Sequence, residues 1–253
     1  MTEPEDRYRL EPDGPLPAPE PHKYPFWTWL DVALLAGLVL PLLILATLLA
    51  TGVFSLMGGM PRAKALGPLA VTFVFEALWF LALYQVIRLR YGRPFWPSIA
   101  WRRPPRGYLN SASWGIILAF ASILVGALLR PPETKTPLEQ LLADPLSIVL
   151  TGLFAVTLGP LFEEVAFRGF LMPLVVRSLG TVAGIVLTAA PFALLHGFEY
   201  AWTWQQLVIV FLAGSAFGWM RLRSGSTAAA TIMHGTYNLT FFLALVAQKI
   251  NEN

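Results

Sequence analysis

The chain has no cysteine, only three histidines and few charged side chains: Asp, Glu, Lys and Arg make up 13% of its 253 residues. The first absence excludes disulfides, thiol nucleophiles and thiolate metal sites. The scarcity of charge, set beside 56% hydrophobic residues and a mean hydropathy of +0.60, points away from an ordinary soluble domain and toward a multi-pass membrane protein. A secretory leader is also missing. Glu3, Glu5, Asp6, Glu11 and Asp13 stand where a basic region and a short apolar core are needed, so no cleavage is expected. The formal charge of +3 does not indicate nucleic acid, because the basic residues lie between apolar runs, as in the cytoplasmic loops of membrane proteins.

Seven prolines between Pro4 and Pro25, together with the charges, leave too little apolar surface to offset the entropy of ordering. Residues 1–25, with His22, are therefore expected to form a disordered cytoplasmic tail. Residues 26–250 read as one all-α domain, a polytopic transmembrane bundle of about seven helices, at 29–54, 66–87, 113–129, 146–176, 182–196, 205–220 and 227–246. The first two runs exceed the roughly 20 residues that cross a hydrocarbon core. The fourth contains Gly159-Pro160, where a bend is expected. A small amphipathic piece is expected at 138–142. Arg88, Arg90, Arg93, Arg102, Arg103 and Arg106, interleaved with Trp96 and Trp101, read as an interfacial belt over anionic lipid.

Thirteen lysines and arginines fall in the tail, the 88–112 loop and the turns near 177 and 221–226, against five in the alternate connections. The positive-inside rule then puts the N-terminus in the cytoplasm and the C-terminus outside. Within this frame a few ionisable residues sit in apolar runs, where each costs several kcal/mol and marks a functional-site hypothesis. Glu163 lies 14 residues before Arg177 and His196 lies 14 residues after Val182. At 1.5 Å per residue both are about 21 Å from the same membrane face. His234 and Asn238, 8 and 12 residues past Ser226, fall at about 12–18 Å by the same rise. Glu163, Glu164, His196, His234 and Asn238 thus occupy one layer of the bundle.

Spacing supplies the local geometry. Glu164 and Arg168 are i and i+4, so they share a face and pair; His234 and Asn238, and Phe192 and His196, repeat the offset. Phe192 is placed to wall the imidazole of His196 against lipid. Glu163 points about 100° away from Glu164 and has no local partner. It is the candidate base, with His196, for a water attacking a carbonyl, while His234 and Asn238 donate to the developing oxyanion.

Glu163-Glu164-Val165-Ala166-Phe167-Arg168, Phe192-Ala193-Leu194-Leu195-His196 and His234-Gly235-Thr236-Tyr237-Asn238 resemble the three motifs of the CPBP family, which comprises CAAX prenyl proteases and bacteriocin-processing or Abi-type intramembrane proteases. The resemblance covers residues 145–245 and leaves out the first two or three spans. It implies an intramembrane endopeptidase in which Glu163 and His196 activate water and His234 and Asn238 hold the oxyanion. Implied substrates are prenylated CAAX proteins, or peptides and membrane proteins in bacteria. The resemblance leaves metal dependence open. A zinc metalloendopeptidase reading takes Glu163, Glu164, His196 and His234 as ligands, but there is no His-Glu-x-x-His, and the carboxylates already serve as base and as partner of Arg168. A metal-free glutamate mechanism without cofactor is favoured.

Two other classes compete: a proton- or ion-coupled carrier, since Glu and His relays also mark ion pathways, and a non-catalytic membrane scaffold. No internal repeat supports the carrier. Glu76, alone in the second span, reads equally as a structural hydrogen bond or a cavity-lining group. Met172, Met220 and Met233 read as packing residues, and Glu199, Trp202 and Trp204 as an external interfacial loop. The expected partners are the bilayer and a peptide or membrane-protein substrate.

Overall fold

A chain crossing lipid has to satisfy its backbone polar groups internally, and this one does so with helices. The computed structural model describes residues 24–56, 63–132 and 145–251, and every regular element among them is helical. Most of the expected tail, with His22, and the piece at 138–142 lie outside the described residues.

The first apolar run divides at Gly37-Leu38 into α1 (Trp29–Gly37) and α2 (Val39–Leu56). α3 (Ala63–Gln85) continues through a wide π-helical turn at Val86–Arg90, and a short α4 (Phe95–Ser98) follows. α5 (Tyr108–Leu129) starts five residues before the span read from hydropathy, because its polar first turns are satisfied locally: Ser113 donates its hydroxyl to the Leu109 carbonyl at 2.9 Å. α6 (Pro145–Leu179), α7 (Thr181–Leu195), α8 (Trp204–Ser224) and α9 (Thr227–Asn251) complete the chain. Among the described residues six helical stretches are long and apolar enough to cross a membrane, and α7 is a shorter apolar helix.

α5 makes the most extensive pairing, with α9. It depends on a small residue, as membrane helix contacts do. A Cβ on Gly115 would stand 2.0 Å from Thr236 Oγ1 and 2.3 Å from the Met233 carbonyl oxygen, so any side chain there forces the two helices apart. α7 pairs closely with α8, and α2 with α3.

The basic segments gather at one end of the bundle. Ser226 caps α9 by accepting from the Ala229 N–H at 3.2 Å, and its own hydroxyl donates to the Arg102 carbonyl at 2.5 Å. Thr227 donates to the carbonyls of Ala100 and Ile99. The arginine-rich connection also braces the start of α9: Trp96 is 42% exposed, but Phe95, Ile99 and Ala100 are buried. Met172, Met220 and Met233 are buried, as packing residues should be.

The segment just before α1 is built into this end as well. Tyr24 and Pro25, which the sequence assigns to the tail, are packed: Arg221 donates to the Tyr24 hydroxyl at 3.1 Å and Arg177 donates to the Pro25 carbonyl. Trp27 has no exposed surface, stacks on Phe170 at 5.3 Å between centroids, and donates its indole N–H to the Phe170 carbonyl at 3.0 Å. Asp31, at the start of the first apolar run, is likewise tied in. It accepts from the Thr28 N–H at 2.8 Å and the Tyr91 hydroxyl at 2.6 Å, and Arg90 lies 3.3 Å away. Trp27→Ala is expected to cost about 3–5 kcal/mol of stability, read from detergent-induced unfolding in mixed micelles. Trp204→Ala, at a ring 61% exposed, should stay within about 0.5 kcal/mol.

Candidate active site

α6 is not a regular helix. Regular stretches at Pro145–Leu153, Gly159–Glu164 and Met172–Leu179 alternate with π-helical turns at Phe154–Leu158 and Val165–Leu171. The sequence suggests one bend at Pro160; instead the helix widens on both sides of the Glu163–Glu164 pair. In a π register the Ala155 carbonyl needs the N–H five residues on, and that residue is Pro160, which has none. Asn238 of α9 supplies the donor, its Nδ2 reaching the Ala155 oxygen at 2.7 Å.

The second wide turn carries Arg168, which is fully buried. Its Nη1 donates to Glu164 Oε1 at 2.8 Å and its Nη2 donates to the Gly214 carbonyl of α8 at 2.6 Å. The guanidinium carbon lies 4.5 Å from the ring centre of Phe192 and 5.5 Å from that of Phe217. Glycine at 214 makes this possible: a Cβ there would come 2.9 Å from Phe192 Cδ1 and 3.1 Å from Arg168 Nη2.

His234 is tied to the same pair. Its Nδ1 lies 3.1 Å from Glu164 Oε1, and its ring stacks on Phe217 with centroids 4.3 Å apart. With Nδ1–H donating to Glu164, Nε2 is aimed at Glu163, whose Oε2 is 3.7 Å away. His196 is fixed from the other side, its Nδ1 at 2.8 Å from the Phe192 carbonyl and its Nε2 at 3.9 Å from Glu163 Oε1. An Nδ1–H donating to that carbonyl leaves the Nε2 lone pair facing Glu163. Phe192 packs on His196 as expected, at 4.6 Å, and also sets its tautomer.

Exposure separates the two glutamates. Glu163 and His196 keep 24% and 17% of their side-chain surface, while Glu164 and Arg168 keep none. Only the first two can reach a substrate freely. α7, at 15 residues, covers about 22 Å, short of the roughly 30 Å of a hydrocarbon layer. The turn after it is the stretch that the sequence places at the outer surface. This turn satisfies itself, with Glu199 N–H donating to the His196 carbonyl at 3.1 Å and Trp202 N–H to that of Gly197 at 2.7 Å. Glu199 belongs electrostatically to the site, since its charge acts on His196 and Glu163.

Three contributors are not evident from the motifs: Gly214, Phe217 and Glu199. Gly214 and Gly218 at i and i+4 in an apolar helix signal a close approach; Phe217 carries no such signal. Among the described residues, no three His, Asp or Glu side chains are set to hold a metal ion. Of the four candidate zinc ligands, Glu164 is engaged by Arg168 and His234, so the donor set does not fit a closed tetrahedral site. Arg168→Ala leaves Glu164 as an uncompensated buried charge, and a loss of about 3–5 kcal/mol of stability is expected. Unfolding in mixed micelles reads this loss, and Glu163→Gln should not show it.

Residues 145–240 match the family model for the type II CAAX prenyl endopeptidase Rce1-like proteins. The matched segment contains both glutamates, Arg168, His196, His234 and Asn238. No curated protein and no solved structure matches the chain. The protein is thus a polytopic helical membrane protein whose segment 145–240, with the whole candidate site inside it, is similar to the type II CAAX prenyl endopeptidase Rce1-like proteins.

Proposed function

We propose that the protein is an intramembrane endopeptidase that hydrolyses peptide bonds of membrane-associated or CAAX-like substrates with a water activated by Glu163 and His196, without a metal. The observation that carries this reading is a carboxylate with no partner in its own helix, set between two imidazoles that are each oriented by their other nitrogen. Glu163 Oε1 and the His196 Nε2 lone pair are two acceptors 3.9 Å apart. A water giving each a hydrogen bond of about 2.8 Å subtends an angle of about 90°, close to what its two hydrogens can span.

The water oxygen attacks the scissile carbonyl carbon while Glu163 takes one of its protons. The oxyanion accepts from Nε2–H of His234, present when that ring is an imidazolium, and from the second N–H of the Asn238 amide. When the carbon–nitrogen bond breaks, the proton on Glu163 passes to the leaving amine. Arg168, Glu164 and Phe192 touch no substrate in this scheme and hold the reacting groups in place. The arginine-rich end faces the cytoplasm, with the N-terminus, and the substrate is offered from that side.

Purified protein and a fluorogenic peptide test the reading. Wild type should cleave, Glu163→Gln should be slower by about 10²–10⁴-fold while keeping its unfolding midpoint, and a chelator should leave the rate unchanged. Full turnover by Glu163→Gln would remove the base from this role, and loss of activity on chelation would replace the metal-free scheme.

A further inference from the structure

The first three spans lie outside the family match, yet α3 packs directly on the stretch of α6 that carries the glutamates. Phe73, Glu76 and Phe80 are spaced i, i+3 and i+7 and share one face of α3. Phe73 meets Phe154 at 6.4 Å between centroids and Phe80 meets Phe162 at 5.6 Å. Glu76 therefore lies between two aromatic contacts with α6, and Phe162 is the residue next to Glu163. Glu76 shares the face of α3 that these contacts turn toward α6, and the charges of Glu163 and Glu199 both act on it.

A structural hydrogen bond is one of the two roles open to Glu76, and the structure does not provide it. Its Oε2 is shielded from solvent and hydrogen-bonds to nothing among the described residues. A buried acceptor without a donor is destabilising, and no cation lies among the groups acting on it. The lack has a counterpart on the substrate. A peptide held for cleavage is not helical across the scissile bond, and inside a membrane each of its exposed N–H groups needs an acceptor. The helices around the site spend their interior carbonyls on their own N–H groups. The Ala155 carbonyl, freed by Pro160, is taken by Asn238.

We propose that Glu76 is a substrate-positioning residue: its unpartnered carboxyl oxygen accepts a backbone N–H of the extended peptide lying between α3 and Glu163. This rests on the protease reading, and extends the working site to a helix outside the matched segment.

The test uses full-length protein in lipid nanodiscs and a fluorescent substrate peptide. In the Glu163→Gln background, where the peptide is not consumed, Glu76→Leu should weaken binding by about tenfold or more, as loss of a hydrogen bond to a buried polar group does. In the active protein Glu76→Leu should raise KM by the same factor with kcat nearly unchanged, and Glu76→Gln, which keeps an acceptor oxygen, should restore both values. Leucine exchanges an ionisable group in a span for an apolar one, so the fold should persist. Peptide binding unaffected by Glu76→Leu would overturn the proposal, as would a loss confined to kcat, or Glu76→Gln binding as weakly as Glu76→Leu. The binding arm needs no turnover: absence of cleavage by wild type would sink the protease reading, while the binding comparison would still decide the role of Glu76.

Discussion

Two carboxylates in succession inside a bilayer pose an electrostatic problem that the fold resolves unequally. One of them, Glu164, is neutralised by a guanidinium with no exposure at all. The geometry of arginine matters, because one planar fork must reach Glu164 and the Gly214 carbonyl at once while aromatic rings cover it. Lysine, a point charge on a flexible stem, could not do all three. Such a pair is weak as a source of stability, since desolvation offsets most of the attraction. Its effect is on registry: it ties α6 to α8 and, through His234, to α9. Glu163 is left as the carboxylate that nothing in its own helix satisfies.

That asymmetry extends to the histidines. Each has one nitrogen held by the protein and the other turned to Glu163, but the holders differ. His196 is held by a neutral carbonyl, and His234 by a carboxylate. Both contacts call for a hydrogen on Nδ1, and both leave Nε2 toward Glu163. The same residue type is thereby anchored by its own helical stretch on one side of Glu163 and by the buried Glu164–Arg168 pair on the other. The difference originates in which element ends where: His196 follows the last turn of the short helix α7, and His234 lies inside α9 opposite the Arg168 pair.

Much of this was legible in the sequence. Depth arithmetic from the turns brings Glu163, His196 and His234 to one level, because regular helices have a fixed rise and three of the motifs lie on or next to them. The i and i+4 pairing of Glu164 with Arg168 follows from the same regularity and holds even though Arg168 lies in a π turn. What periodicity does not carry is long-range or irregular. The partner of Asn238 depends on a carbonyl released by Pro160, and the role of Trp27 depends on Phe170, 143 residues away. Tyr24 and Pro25 look like the end of a proline-rich tail by composition, but their neighbours in space are Arg221 and Arg177. The wide turns also escape notice, since hydropathy is blind to whether a helix closes on the fourth or the fifth residue.

The bracing of the site bears on whether such residues serve a carrier or a hydrolase. A carrier opens its site alternately to each side, so the helices around that site must move past one another. Here the elements are joined across several levels. Asn238 fixes α9 to α6 on one side of the glutamates, Arg168 fixes α6 to α8 on the other, and Thr227 and Ser226 fasten the start of α9 to the segment at Ile99–Arg102. Trp27 then locks the N-terminal segment onto the wide turn of Arg168. Alternating access would break several of these bonds in low dielectric, where an unpartnered polar group is expensive. Catalysis asks for the opposite property: donors and acceptors already in place when charge develops, with no reorganisation left to perform. A rigid frame around the Glu163 carboxylate and its two imidazoles meets that requirement.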